Sequence, residues 1–194
     1  MVELARFLQD AGVDDGRKTS EVTIRAEQPE DRAAIARVVG AAFGSPVEPR
    51  LVDDLRASAD FVPEWSLVAE VDGGIVGHVM VTFALLQDGD STRRIANLSP
   101  LAVAPELQHR GIGSALVGAV TALVDASGEP LVVIEGSPAY YGRLGFEYSV
   151  PRGIHINLPD WAPPEAAQMM RLTNYDAAIR GTVVYPPAFD AAEH

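Results

Sequence analysis

The segment richest in chemical possibility is Gln108-His109-Arg110-Gly111-Ile112-Gly113-Ser114. It stands directly before apolar residues at 112, 115, 116, 119, 120 and 123, a spacing that predicts a packed helix from Gly111 to Asp125. The first N–H groups of such a helix have no intrahelical partners, and with the helix dipole they favour an anion. Gly111 and Gly113 carry no Cβ, so a phosphate can come close to the main chain. Arg110 either adds a cation beside that anion or is a solvated surface side chain. A pyrophosphate suits this arrangement. A Walker loop does not, because no Lys follows the glycines. A dinucleotide fingerprint does not either, because Leu116 stands where its third small residue belongs. Taken alone, a Gly-x-Gly pair favours the plainer role of tight packing at a helix start.

Composition narrows the remaining chemistry. The chain of 194 residues has no Cys, which removes disulfides, thiolate metal sites and a cysteine nucleophile. The four His are scattered at 78, 109, 155 and 194, so no metal site is expected. Fifteen basic and 27 acidic side chains give a net charge of −12, with Lys18 as the one lysine. Nucleic acid is therefore not an expected partner, since phosphate binding needs clustered Lys and Arg. No membrane partner is expected: the longest apolar stretch, 111–124, is shorter than the ~20 residues a spanning helix needs. The first residues, with Glu3, Arg6 and Asp10, lack a signal-peptide core, so the expected location is cytoplasmic.

The elements that must position the Gly-rich segment follow from pattern. Residues 1–20 read as an N-terminal extension with room for one short amphipathic helix. A single domain spans 21–194, with a core over 21–150 and a C-terminal extension of the sheet over 151–194. Val22 to Arg25 reads as a strand, residues 29–43 as a helix, and Pro49 to Ser58 as a second helix. Strands at 66–71, 75–86 and 93–103, with turns at Asp72-Gly73-Gly74 and Gln87-Asp88-Gly89-Asp90, form an antiparallel meander. After the Gly-rich helix, Pro130 to Ile134 returns as a parallel strand, and Pro138 to Leu144 is a short helix. Late strands are expected at 169–172 and 182–185. The fold class is α/β, on the α+β side: a mixed, mostly antiparallel sheet with flanking helices.

Pro100 falls inside the third meander strand, where it marks a bulge or a splayed edge. A splayed strand has main-chain groups free to pair with a ligand's amides. An amide-bearing arm along the strand, ending in a pyrophosphate at the helix, is the shape of coenzyme A.

Gln108-His109-Arg110-Gly111-Ile112-Gly113 resembles the Arg/Gln-x-x-Gly-x-Gly/Ala signature of the GCN5-related N-acetyltransferase (GNAT) superfamily. Leu101-Ala102-Val103-Ala104-Pro105 is similar to that family's fourth strand, and Tyr140-Tyr141-Gly142-Arg143-Leu144-Gly145-Phe146 to its closing element. The resemblance runs from Glu21 to Phe146 and implies a splayed central strand pair. It also implies acetyl-CoA as co-substrate, with no metal, and an amine of a small molecule or peptide as acceptor. It places the main chain of Leu101, Ala102 and Val103 on the pantetheine arm and acetyl carbonyl. Gln108, His109, Arg110, Gly111, Ile112, Gly113 and Ser114 fall on the pyrophosphate. Tyr141 takes the position of the acid that protonates the departing thiolate, and Tyr140 is assigned to structure.

A protonated amine must lose a proton before attack. Glu135, at the end of the parallel strand, is the first candidate base, followed by Glu48, Glu70 and His78. The resemblance implies direct attack through a tetrahedral intermediate. The alternative is a non-catalytic acyl-CoA-binding regulatory module on the same fold. A homodimer is expected from the family's habit.

Overall fold

The computed structural model describes residues 21–192. The expectation of a short helix within residues 1–20 lies outside that range. The strand β1, Val22–Ala26, is followed by helices α1, Arg32–Phe43, and α2, Val47–Ala57. Gly44 adopts φ +68°, and its N–H closes α1 on the Gly40 carbonyl, so α2 can start almost at once. The meander is β2, Phe61–Val71, β3, Gly74–Asp88, and β4, Ser91–Val103. The first of these begins five residues earlier than the apolar pattern indicated. Pro63 and Glu64 hide its start, and the pairing with β3 is irregular between Phe61 and Ser66.

Helix α3, Ile112–Ala126, leads to β5, Leu131–Glu135, and to the one-turn helix α4, Pro138–Tyr141. Then come β6, Glu147–Tyr148, β7, Ile154–His155, β8, Ala167–Arg171, and β9, Gly181–Val184. A 3-10 segment, Pro187–Ala192, follows and packs on α2. The strands form one nine-stranded mixed sheet, in the order β1-β2-β3-β4-β5-β8-β6, with β9 joining β3 and β7. The C-terminal third is thus woven into the sheet, because β8 separates β5 from β6.

Two features of the sheet position the site. First, β4 and β5 run parallel but pair only at Ala96↔Val132 and Asn97↔Val133. Beyond that point they part. Second, the β3–β4 register shifts between Val79 and Val81, opposite Ser99-Pro100. Proline has no N–H to give a ladder, so the bulge falls where the sequence put it.

The apolar residues sort onto two faces. One face carries Val79, Val81, Leu98 and Ile134 against Leu116, Val117 and Val120 of α3. The opposite face carries Met80 and Ala102 under α1 and α2. Beside them lie Ala84, Ile95 and Val133 under the C-terminal strands. Among the described residues, no helix is long and apolar enough to cross a membrane.

Candidate active site

The Gly-rich segment folds as a loop and a helix start. Gly111 is the N-cap of α3 with φ +85°, a left-handed conformation that favours glycine. His109 is also left-handed, at φ +62°. The first bond of the helix runs from the Ala115 N–H to the Gly111 carbonyl at 2.9 Å. The amides of Ile112, Gly113 and Ser114 therefore precede any intrahelical acceptor, and no side chain caps them.

These amides border a cleft of about 570 Å³ lined by Leu101, Val103, Gln108, Gly113, Tyr140 and Arg143, among others. Leu107, His109, Gly111, Ser114 and Leu144 complete it. Arg110 is exposed and is not among the lining residues. Arg143, a cation that pattern reading passed over, lines it instead, with its Nε donating to the Ala139 carbonyl at 3.0 Å. Its signal was its place one turn after α4, visible only once α4 is docked beside α3.

The β4 main chain has a definite polarity. The Ala104 N–H donates to the Val76 carbonyl of β3 at 2.8 Å. Successive peptide groups of a strand alternate between its two edges. The amides of Val103 and Leu101 therefore face away from β3, towards the side that β5 has left. Gln108 Nε2 donates to the Val103 carbonyl at 3.1 Å, which agrees with that direction. Ala102 behaves differently from its neighbours. Its main chain turns towards His78 of β3, and its side chain is buried under α1 and α2. It borders the cleft with neither, so the resemblance-based placement of Ala102 on the cofactor does not fit this geometry.

The two tyrosines of α4 divide unexpectedly. Tyr141 is only 9% exposed and packs in the α3-side core, edge-on to Phe146 at 5.5 Å. A Cβ on Gly136 would collide with its ring, so the glycine admits it. Burial, with a smaller contribution from Tyr140, pushes the Tyr141 pKa up, so the phenol keeps its proton. Tyr140 is half-buried and lines the cleft. Its hydroxyl lies 2.6 Å from where a Gly113 Cβ would stand, with Val103 and Leu101 behind at 3.6 and 3.7 Å. Tyr140 thus touches the cleft rather than serving packing alone.

The four candidate bases separate clearly. Glu135 ends β5 on the face opposite α3, is exposed, and lies close enough to Tyr185 for its charge to raise that phenol's pKa, after the larger effect of burial. Glu48 lies in the first turn of α2, with one buried carboxylate oxygen lacking a hydrogen-bond partner. Glu70 is held by Arg25 at 3.1 Å.

His78 is fully buried, with Nε2 at 3.1 Å from Ser66 Oγ and 3.3 Å from Glu27 Oε2. Burial pushes its pKa down, only partly offset by Glu27, so it stays neutral inside the fold. Glu27 in turn pairs with Arg56 at 2.6 Å. Burial raises the Glu27 pKa, but hydrogen bonds from His78, Arg56 and Ser66 outweigh it and hold the value at about 2. That cluster braces α2 against β2 and β3. Among the described residues no three metal-ligating side chains are grouped.

A helix start with free amides, an open strand edge and Tyr140 meet in a single cleft, with Tyr141 in the core behind it. The acetyltransferase (GNAT) domain family matches residues 23–149. The chain belongs to the GNAT family. This GNAT domain is 29% identical to the uncharacterized N-acetyltransferase YhbS of Escherichia coli over 169 residues, 86% of this chain and 98% of that one. It is 34% identical to a second such protein from E. coli, YjhQ, over 117 residues, 60% of this chain and 65% of the relative. The crystal structure of E. coli YhbS in complex with CoA superposes with a TM-score of 0.78, covering 90% of this chain and 94% of that one. A GNAT acetyltransferase from Brucella melitensis in complex with acetyl-CoA gives 0.69 at 30% identity, covering 87% of this chain and 98% of that one.

Proposed function

We propose that this GNAT protein is an N-acetyltransferase that moves the acetyl group of acetyl-CoA to a primary amine of a small molecule or peptide. The observation that carries the proposal is the opening between β4 and β5. Main-chain groups of Leu101 and Val103 face it, the cleft at the start of α3 lies on one side, and Glu135 stands on the other. The residues fit the donor. The amides of Ile112, Gly113 and Ser114 suit its pyrophosphate, and Gln108, His109, Arg143 and Tyr140 border the same space. The edge amides of Leu101 and Val103 suit the pantetheine arm.

At the opening, the Val103 N–H acts as a fixed donor to the thioester oxygen, where negative charge develops. Glu135 takes the proton that the ammonium must lose. The amine nitrogen then bonds to the carbonyl carbon to give a tetrahedral intermediate. As that collapses, the carbon–sulfur bond breaks, sulfur leaves with the bonding pair, and the nitrogen sheds its second proton, which restores the one that the acid gives to sulfur. Tyr141, kept protonated by its surroundings, supplies the proton to that sulfur.

Thiol release measured across a panel of amines tests the reading. Acetyl-CoA is expected to raise the melting temperature, since a ligand bound only by the native state stabilises it. It is also expected to release thiol in an amine-dependent way. Stabilisation without turnover by any amine would leave a binding module instead. Absence of stabilisation overturns the cofactor site itself.

A further inference from the structure

The sheet face opposite α3 carries a second constellation that the cofactor cleft does not use. Glu135 lies two residues beyond Val133, whose side chain packs on this face under the C-terminal strands. Tyr185 follows the end of β9 and lies beside Glu135, close enough for the carboxylate to act on its phenol. The Tyr185 ring lies 4.9 Å from that of Phe189, tilted by 35°. Tyr185 packs against the cluster under the C-terminal strands, and Phe189 against the cluster under α1 and α2. The two rings therefore bridge two apolar clusters, and an exposed carboxylate stands beside them. Beneath that boundary, Thr82 and Asn97 face each other across β3 and β4. Both are buried, and Thr82 Oγ1 and Asn97 Nδ2 have no hydrogen-bond partner.

We propose that Glu135, Tyr185 and Phe189 form the acceptor's ammonium subsite, and that it selects cationic amines lacking an α-carboxylate. The inference rests on the acetyl-transfer reading and deepens it. A carboxylate pairs with an ammonium group, and aromatic faces attract the same cation. Tyr185 is a positioning residue: its phenol stands beside the Glu135 carboxylate and orients it. Burial first, and then the Glu135 charge, keep the phenol protonated as a donor. Phe189 gives an apolar carrier a surface to cross. A free α-amino acid carries its carboxylate one carbon from the amine. At this subsite that group meets Glu135, and like charges brought together oppose binding. Amino acid amides and arylalkylamines escape the repulsion.

Matched acceptors decide the matter in a thiol-release assay: phenylalanine amide and 2-phenylethylamine against free phenylalanine. The wild type is expected to favour the amide and the amine over the acid by at least about tenfold in kcat/KM. Glu135→Gln lowers all rates but brings the ratio towards unity, because the repulsion is gone. Tyr185→Phe and Phe189→Ala raise KM for the amine more than they lower kcat, while the Kd for acetyl-CoA, read by calorimetry, stays at the wild-type value. That retained affinity also reports a folded protein. Equal use of acid and amide by the wild type overturns the subsite, as does a ratio that Glu135→Gln leaves unchanged. Failure to bind acetyl-CoA, or to acetylate any amine, overturns the transfer reading instead.

Discussion

Tyr140 and Tyr141 are adjacent, chemically alike and assigned to different work by their surroundings. Tyr141→Phe is expected to lower kcat by about a hundredfold or more, the usual loss with a general acid, and to leave KM for acetyl-CoA unchanged. Tyr140→Phe is expected to show the reverse split. Gly113→Ala adds a methyl that meets the Tyr140 hydroxyl at 2.6 Å. Its effect on acetyl-CoA affinity should shrink in a Tyr140→Phe background, a coupling that a double-mutant cycle reads directly. Sequence spacing singled out Tyr141 but not the side to which Tyr140 points. On a one-turn helix that side is set by packing against Gly136 and α3, not by the local pattern.

Glu27 sits apart from the reaction and makes a test of stability. Its folded pKa is depressed to about 2. A depressed carboxylate stabilises the fold above its unfolded pKa, and the contribution disappears as pH falls through the folded value. The expected window runs from about pH 4.5 down to about pH 2, with a contribution on the order of 3 kcal/mol at neutral pH. Glu27→Gln should flatten the stability curve across that window, as followed by denaturant melts. Equal pH dependence in the two proteins would contradict the assignment. Nothing local in the sequence signalled this cluster, since Glu27, Arg56, Ser66 and His78 come from four separate segments.

At the scale of elements, the proposed transfer depends on which edge of β4 is paired. Val103→Pro removes an N–H from the open edge and leaves the β3 ladder intact. Turnover is therefore expected to fall by about a hundredfold or more, as for loss of an oxyanion donor, with circular dichroism and melting close to wild type. A large fall in melting temperature would mean that the Val103 amide serves the sheet. The elements themselves were largely legible. Helical spacing from 112 to 123 gave α3, Pro100 gave the bulge, and the Asp-Gly turns gave the meander. The start of β2 was hidden by Pro63.

At the scale of the molecule, the C-terminal strands were the least legible part. Tyr185 and Glu135 meet only because β9 pairs with β3 and the segment after it packs on α2. No spacing rule links positions so far apart. Charge acts at this scale too. In the proposed reaction, a net charge of −12 opposes the approach of an anionic donor and favours that of a cationic acceptor over long range. Raising ionic strength from about 0.01 to about 0.15 M is expected to speed acetyl-CoA association and to lower kcat/KM for the amine. Stopped-flow binding and steady-state rates check the two trends, and parallel trends would count against long-range steering.

The short seam between β4 and β5 has a mechanical consequence. Two residue pairs stitch β4 to β5, so few main-chain bonds hold the sheet together beside the proposed reactive centre. In the proposed reaction, a pantetheine arm laid along Leu101 and Val103 would act as a missing strand and close the tear. The amides there should exchange quickly with solvent in the free protein and slowly in the charged one. Its stiffness then follows the supply of donor, and each product release loosens the sheet again.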